Sequence, residues 1–305
     1  MIAFVFPGQG SQAVGMGRAF YETSGAAKRV FEEASDTLGA DFTRLIFEGP
    51  DTDLALTASV AAAAACAERG LTPALVAGHS LGEYSALVIA GALRLGDALR
   101  VVRRRGELMQ EAVPVGTGAM AALMGVKPDV VEGICTDAAQ GEVVGIANLN
   151  SEMQIVIAGH RSAVERAVAL AKERGGRKSV LLPVSAPFHC ALMAPAGERL
   201  ASDLAALKIA DPAIPVVRNV DAGVTTRAEE VIPFLIRQVT APVRWTDGVR
   251  RMAREGVAHF LEVGPGAVLT GLLKRIDPGL VGLSVEDPAG LDRALAALGR
   301  GQASR

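Results

Sequence analysis

The sequence is poor in cysteine and has no excess charge of either sign. Cys66, Cys135 and Cys190 are its three cysteines in 305 residues. They are too few and too scattered for a disulfide framework or a CxxC zinc site. Lys and Arg total 31, Asp and Glu total 33, and the net charge is −2. Because general nucleic-acid binders are strongly basic, we expect no nucleic-acid partner. The cysteine pattern gives no reason to expect a structural metal.

Long apolar runs are also missing. The longest, Leu54–Cys66, is alanine-rich and too short to span a bilayer. No cationic segment precedes the apolar Ile2–Phe6, so no secretory signal is predicted. We therefore expect a reduced, cytoplasmic protein without membrane contact. Since no coiled-coil repeat or apolar interface stripe is visible, we also expect a monomer.

What is present is an alternation of strand and helix patterns, which predicts an α/β fold with a parallel sheet. Buried strands are predicted at Ile2–Phe6 and Pro73–Gly78, and later at Ile214–Val220 and His259–Val263. Helices are predicted from about Ser11 and over Lys28–Leu38, Ser59–Arg69, Glu83–Gly91, Leu95–Gln110, Met193–Leu207, Glu229–Val239, Thr246–Glu255 and Leu291–Leu298.

The middle of the chain has a different pattern, βαββαβ, which is the ferredoxin-like order. Its predicted strands and helices are Ala119–Val126, Pro128–Ala139, Val143–Leu149, Gln154–Ala158, Ser162–Arg174 and Ser179–Val184, with a turn at Asn150-Ser151. We therefore predict a small ferredoxin-like domain over 118–187. It is inserted into a large α/β-hydrolase-like domain formed by 1–117 and 188–305.

Gly78-His79-Ser80-Leu81-Gly82 fits the G-x-S-x-G pattern between a predicted strand and a predicted helix. A tight turn in that context projects a serine hydroxyl from the end of the sheet toward the positive end of a helix. The amide of Leu81 would then point at a developing oxyanion. Ser80 is thus the candidate nucleophile, and the alternative is a structural serine at a helix N-terminus.

A serine nucleophile needs a base, and four histidines are available. His79 adjoins the nucleophile, and neighbours at such a turn diverge. His160 and His259 lie beside predicted strands and are expected to be ordinary surface or packing residues. His189 lies where the small domain returns to the large one, a position that can overlook a cleft. His189 is therefore the candidate base.

Two further patterns have competing interpretations. Gly8–Ala13 fits the dinucleotide fingerprint G-x-G-x-x-A, but the acids at the required distance, Glu32 and Glu33, fall in a helix. A loop that offers a backbone N–H to a substrate oxygen is the favoured alternative. In the run of three arginines ending at Arg105, helical geometry turns Arg105 toward the buried side. A buried arginine requires a carboxylate, either structural or from a substrate.

Taken together, these motifs resemble the malonyl-CoA:acyl-carrier-protein transacylase family. The residues responsible are spread over nearly the whole chain and follow the family's order. They are Phe6–Gln12, Gly78–Leu87, Arg105-Gly106, Met109-Gln110, Asn148–Ser151, Gln154, Pro187–Met193, Gln238, Pro242–Trp245 and Glu262–Gly266.

The resemblance implies a ping-pong transfer through a malonyl-serine at Ser80, with His189 as base. A backbone carbonyl at Gln238 would orient the histidine, and the amides of Gln9 and Leu81 would form the oxyanion hole. Arg105 would bind the malonyl carboxylate. Asn148 and Phe188 would line the substrate pocket, where Phe188 would exclude a 2-methyl group.

The resemblance also implies partners. The donor is malonyl-CoA, the acceptor is the phosphopantetheine thiol of an acidic acyl-carrier protein, and no cofactor is needed. Two basic groups are candidates for carrier docking. The first is Lys172, Arg174, Arg177 and Lys178, and the second is Lys274 and Arg275. For each group, ordinary solvent-exposed charge without a binding role is an equal alternative. One segment departs from the family: Pro50–Thr57, around Asp53, is shortened and lacks a pocket glutamine.

Other functions remain open at this point. A related acyltransferase could serve a polyketide synthase or a malonate decarboxylase by the same chemistry. A serine esterase or thioesterase would need Asp97, Asp129 or Asp137 as the acid of a triad, and none of them ends a predicted main-sheet strand. A non-catalytic carrier-binding scaffold would not need Ser80, His189 and Arg105 together.

Overall fold

The computed structural model describes residues 1–39, 41–48 and 55–302, which form two β-sheets with surrounding helices. The strands are β1 (Ile2–Phe6), β2 (Leu75–Gly78), β3 (Gly118–Met124), β4 (Val144–Ser151), β5 (Gln154–His160), β6 (Lys178–Leu181), β7 (Val216–Val217), β8 (Val224–Thr225), β9 (His259–Val263) and β10 (Val281–Val285).

The helices surround the larger sheet and cover one face of the smaller one. They are α1 (Arg18–Thr23), α2 (Gly25–Leu38), α3 (Phe42–Glu48), α4 (Ala55–Glu68), α5 (Gly82–Ile89), α6 (Leu95–Ala112), α7 (Pro128–Ala139), α8 (Arg161–Glu173), α9 (Ala194–Ala205), α10 (Ala228–Gln238), α11 (Trp245–Arg254), α12 (Val268–Ile276) and α13 (Pro288–Gln302). Within the ranges given above, no helix is both long enough and apolar enough to cross a membrane.

The larger sheet has the strand order β10-β9-β1-β2-β7-β8 and confirms the α/β class. Its pairs are parallel except for β7 with β8, which are antiparallel. In the register of the central pair, Phe6 lies opposite Gly78. The loops that follow β1 and β2 therefore leave the same edge of the sheet side by side, and this brings Gln9 and Ser80 together.

The smaller sheet has the order β4-β5-β3-β6, with each neighbouring pair antiparallel. Its elements follow the predicted βαββαβ order. One face packs against α7 and α8 through buried side chains that include Leu123, Val131 and Ile157. The opposite face, with Met120, covers the returning chain at Cys190. This packing holds the segment around His189 at the junction of the two sheets.

A short parallel bridge joins the smaller sheet to the chain before α11. Leu149 donates its backbone N–H to the Val243 carbonyl at 2.9 Å, and Val243 donates to the Ala147 carbonyl at 2.9 Å. The hydroxyl of Thr246 adds a bond to the Leu149 carbonyl at 3.1 Å. Because these bonds fix β4 beside the larger sheet, Asn148 is held facing the elbow that contains Ser80.

Several boundaries differ from the sequence-based prediction. The helix expected from about Ser11 begins at Arg18, because Gly15 and Gly17 take positive φ values of 86° and 74° that a helix does not tolerate. The turn predicted at Asn150-Ser151 is wrong, since both residues belong to β4 and the chain turns at the next two. The strand predicted at Ile214–Val220 is only Val216–Val217.

Four elements were not predicted at all: α3, α12, β8 and β10. β10 is a five-residue edge strand with only Val285 buried, and the residues that alternate with its apolar side chains are Gly282 and Ser284, which are also typical of turns. The shortened segment around Asp53 cannot be compared with the prediction, because residues 50–54 lie outside the described ranges.

Candidate active site

Ser80 lies in a sharp turn between β2 and α5, as the G-x-S-x-G pattern predicted. The turn requires glycine on both sides. A Cβ on Gly78 would lie 1.8 Å from the carbonyl carbon of Gly82, and one on Gly82 would lie 2.2 Å from the Phe6 oxygen. Ser80 itself has φ 52°, a left-handed conformation that costs about 1–3 kcal/mol in a non-glycine residue. Its amide donates to Asn219 Oδ1 at 2.7 Å, and this bond supports the strained turn.

His189 lies directly against this serine. Its Nε2 is 2.6 Å from Ser80 Oγ, and its Nδ1 is 2.9 Å from the backbone oxygen of Gln238. A carbonyl can only accept, so Nδ1 carries the ring proton and Nε2 is free to accept the hydroxyl proton. Burial, together with the positive charge of Arg105, lowers the pKa of His189 to about 3. The imidazole is therefore neutral at physiological pH.

The other histidines have different partners. His79 Nε2 is 2.8 Å from Asn150 Oδ1, and its ring packs on Trp245 at 5.7 Å between centroids. His160 Nδ1 accepts from the Val143 amide at 2.9 Å. His259 begins β9, at the end of the sheet opposite the elbow. The structure thus brings one of the four histidines onto Ser80 Oγ.

Among the residues that the structure describes, no aspartate completes a triad on His189. Asp97 pairs with Arg100 in α6, Asp137 pairs with Arg174, and Asp129 lies in the first turn of α7. The third position is occupied by the Gln238 carbonyl at the C-terminal end of α10.

Arg105 projects from α6 into the same site and is only 4% exposed. Its Nη2 donates to Ser80 Oγ and to Gln238 Oε1, both at 3.3 Å. Within the described ranges it forms no ion pair with a carboxylate, and its Nε has no acceptor. Burial lowers the pKa of Arg105, although a guanidinium stays charged at any physiological pH. A buried cation without a carboxylate is a binding position for an anionic group.

Backbone amides supply the other donors. Leu81 N begins the turn into α5, and Gln9 N lies in the loop after β1. Among the described residues, neither amide donates to a protein acceptor. The two loops leave adjacent parallel strands at one edge of the sheet, so these two N–H groups are the candidates for binding a developing oxyanion.

A cavity of about 400 Å³ opens over Ser80 Oγ. Among the residues predicted for the site, those that line it are Gln9, Ser80, Arg105, Asn148, Phe188 and His189. Leu81 and Gln238 lie behind this lining and are buried. Met120, Leu182 and Val184 add an apolar wall. The cavity therefore combines an apolar wall, a nucleophile with its base, and a cation in a space of small-molecule size.

Sequence reasoning missed a buried polar network beneath the nucleophile. Glu83 Oε2 accepts from Gln238 Nε2 at 2.7 Å and from the Asn219 amide at 3.2 Å. Asn219 Nδ2 donates to the Gly78 oxygen at 2.6 Å. Burial raises the pKa of Glu83 to about 7. Glu83 follows the nucleophile motif directly, and an acid on the first buried turn of α5 is the one signal that could have identified it.

The arrangement suits covalent transfer of an acyl group that carries a negative charge. It offers an activated hydroxyl, a neutral imidazole, two amide donors and a guanidinium that forms no ion pair with any described carboxylate. No cluster of three or more His, Cys, Asp or Glu side chains that could hold a metal occurs in the described part of the chain.

Comparison with known proteins points to the same chemistry. Residues 3–277 match the family of acyl transferase domains. The chain is 48% identical to the malonyl CoA-acyl carrier protein transacylase of Escherichia coli K12 over 303 residues, 96% of this chain and 98% of the relative. The crystal structure of an acyl-carrier-protein S-malonyltransferase from Burkholderia pseudomallei has a TM-score of 0.93 and 48% identity, covering 97% of this chain and 99% of that one.

A second solved structure contains a partner. It is a malonyl-transacylase in complex with the holo acyl-carrier protein of a type II polyketide synthase. It has a TM-score of 0.93 and 45% identity, and the match covers 97% of this chain and 99% of that one. These matches confirm the resemblance that the motifs indicated: the chain belongs to the malonyl-CoA:acyl carrier protein transacylase family.

Proposed function

We propose that this protein transfers the malonyl group of malonyl-CoA to the phosphopantetheine thiol of an acyl carrier protein and supplies fatty acid synthesis. The observation that carries the proposal is the 2.6 Å contact between Ser80 Oγ and His189 Nε2 beside a buried arginine that has no carboxylate partner in the described part of the chain. Its relatives bear names that state the same activity.

In the first half-reaction, Ser80 Oγ attacks the thioester carbonyl while His189 Nε2 accepts the hydroxyl proton. The new C–O bond forms, and the amides of Gln9 and Leu81 stabilise the oxyanion. When the C–S bond breaks, His189 returns the proton to the thiolate of coenzyme A. The Gln238 carbonyl keeps Nδ1 protonated and so keeps Nε2 available.

In the second half-reaction, the carrier thiol enters the position that coenzyme A has left. His189 removes its proton, the sulfur attacks the malonyl ester, and Ser80 Oγ leaves with that proton. No cofactor takes part in either half. Arg105 binds the malonyl carboxylate through paired donors, and Phe188 closes the pocket against a 2-methyl group.

Initial-rate kinetics test this scheme. If both half-reactions pass through one malonyl-serine intermediate, double-reciprocal plots at several fixed carrier concentrations should give parallel lines as malonyl-CoA is varied. The enzyme should also exchange malonyl between coenzyme A molecules when no carrier is present. Intersecting lines, with no exchange, would mean that both substrates must bind before transfer.

A second candidate is the same transfer to the carrier of a polyketide synthase. The observation in its favour is the 45% identity to the transacylase that was solved with such a carrier. Comparison of kcat/KM for the two kinds of carrier, with malonyl-CoA saturating, separates the candidates. We expect the fatty-acid carrier to be the better acceptor.

We further propose that an acidic carrier docks on a basic surface formed by Arg177 and Arg275. These two arginines, from the two basic groups of the sequence, line one cavity of about 430 Å³ together with Met153 and Gln154. Arg174 is less available, because it pairs with Asp137. Charged side chains at such a rim raise association rates more than they stabilise the complex.

Transfer to the carrier is therefore expected to weaken with salt. Raising ionic strength from about 0.05 to about 0.5 M should lower kcat/KM for the carrier by about threefold or more, since exposed charges are screened. Malonyl loading of Ser80 should change much less. In Arg177→Ala/Arg275→Ala the salt dependence should largely disappear. The control is Arg251→Ala, which removes an exposed arginine paired with Glu255; an equal loss there would exclude a specific docking surface.

Loading of Ser80 is expected to be insensitive to pH between about 5 and 8. The lowered pKa of His189, about 3, leaves the base unprotonated throughout this range, so acid does not remove it. The measurement is the rate of acyl-enzyme formation against pH. Glu83→Gln is the control, because it removes the neighbouring group whose pKa is about 7. A loading rate that falls below pH 6–7 in both the wild type and this variant would contradict the prediction.

We propose that 118–187 forms a small ferredoxin-like domain and that 1–117 and 188–305 form the large catalytic one. The protein would act as a monomer in the cytoplasm, where malonyl-CoA and carrier are both available.

A further inference from the structure

Glu83 is a buried ionisable group next to the nucleophile motif that the mechanism above does not use. It is 3% exposed and lies on α5, three residues after the nucleophile. It contacts neither the cavity nor His189, but it holds the side chain of Gln238 at 2.7 Å. Its effect on the reaction would therefore have to pass through Gln238.

The side chain of Gln238 is completely buried, and its amide group has three partners. Nε2 donates one hydrogen to the Ser80 backbone oxygen at 3.0 Å and the other to Glu83 Oε2. These acceptors leave Oε1 facing Arg105 Nη2 at 3.3 Å. Gln238 Oε1 and Ser80 Oγ are the acceptors that the described part of the chain offers to the Arg105 guanidinium.

We propose that Glu83 is a positioning residue for malonyl specificity: by fixing the amide of Gln238, it holds Arg105 where the substrate carboxylate binds. The proposal deepens the function proposed above and rests on it. The feature of Glu83 that matters is an acceptor oxygen at Oε2 rather than a full negative charge. The pKa of about 7 agrees with this, since the group is partly protonated near neutral pH.

Side chain and backbone of Gln238 have separate tasks, and this makes the proposal testable. The backbone oxygen that binds His189 is set by α10 and does not depend on the amide group. Asn219 likewise keeps its bonds to Gly78 and Arg244 without Glu83. Loss of the Glu83 acceptor should therefore disturb Arg105 more than the Ser80–His189 pair.

Charged neighbours also act on Glu83 and must stay constant between variants. Arg105 and Arg218 are the cations that interact with it, Asp221 is the nearby acid, and Tyr84 is the adjacent phenol. Substitutions at Glu83 leave all four in place, so comparisons at one pH report on the acceptor.

The test compares malonyl-CoA with acetyl-CoA as donors for the wild type, Glu83→Gln and Glu83→Met. Glutamine can place an oxygen where Oε2 lies, so its preference for malonyl should stay within about threefold of the wild type. Methionine leaves two buried N–H groups unpaired, one on Gln238 Nε2 and the backbone N–H of Asn219, and the preference should fall by about tenfold or more, through a higher KM for malonyl-CoA. Acetyl transfer should change little.

Gln238→Met should reproduce this selective loss, and adding Glu83→Met to it should lower the preference no further, because both act on one path. Equal losses for malonyl and acetyl in Glu83→Met would overturn the proposal and indicate a merely structural role. If that variant does not fold, Glu83→Ala is judged by the same criterion. A wild type that transfers no malonyl would overturn the proposed function itself, whereas a wild type that does, with an unchanged preference in Glu83→Met, would overturn this inference alone.

Discussion

Ser80→Ala is expected to form no acyl-enzyme and to lose malonyl transfer by about 10⁴-fold or more. Removal of a covalent nucleophile from a serine enzyme has effects of that order, because the remaining donors cannot replace the two-step path. Here the hydroxyl is the one oxygen that both His189 Nε2 and Arg105 Nη2 approach. The measurement is steady-state transfer to the carrier together with the mass of the protein after exposure to malonyl-CoA.

Ser85→Ala is the matched control for this variant. Ser85 lies on α5, five residues after Ser80, is fully buried, and has no hydrogen-bond partner for its hydroxyl among the described residues. Its replacement should leave transfer within about threefold, because the change is small and removes no bond. A malonyl adduct on Ser80→Ala, or equal losses in the two variants, would contradict the assignment of Ser80 as nucleophile.

Arg105→Ala is expected to reverse donor selectivity. The buried guanidinium has no carboxylate of its own within the described chain, so the malonyl carboxylate is the charge that completes it. Loss of two charge-assisted hydrogen bonds should lower kcat/KM for malonyl-CoA by more than about 100-fold. Transfer of acetyl, which has no carboxylate to bind, should be kept or increased. Initial rates with both donors measure the change in preference.

Arg104 and lysine provide two controls for Arg105. Arg104 is the residue before Arg105 on α6, but it faces outward and pairs with Glu107 and Asp203. Arg104→Ala should leave the preference unchanged. Arg105→Lys keeps the charge without the planar fork and should give an intermediate loss. If Arg105→Ala reduced malonyl and acetyl transfer equally, the carboxylate-binding role would be wrong.

The parts of the fold that could be predicted are those with local causes. Gly78 and Gly82 encode the elbow by themselves, because side chains there would collide with the neighbouring backbone. Helices such as Pro128–Ala139 were predicted at the bounds observed, from apolar spacing and a proline at the first turn. β8 and β10 were missed since each is short and lies at an edge of the larger sheet.

The site residues likewise divide into those with a local sequence cause and those placed by tertiary packing. Ser80 and the amide of Leu81 follow from one motif, whereas the positions of His189 and Arg105 depend on how distant segments pack. For those two, the family resemblance supplied what spacing alone left open. Glu83 and Asn219 escaped prediction because their hydrogen bonds join residues that are far apart in the sequence. Glu83 is 155 positions from Gln238 and 136 positions from Asn219. Apart from the acid on the first buried turn of α5, the local sequence carries no signal for these long-range hydrogen bonds.

The most direct test of the central claim is the intact mass of the protein after brief incubation with malonyl-CoA, before and after addition of holo acyl carrier protein. The account predicts a single malonyl adduct on the wild type, absent from Ser80→Ala, that the carrier discharges as malonyl-carrier appears. An adduct that decays at the same rate without carrier would mean a hydrolase. The absence of any adduct on folded wild-type protein would contradict the covalent mechanism altogether.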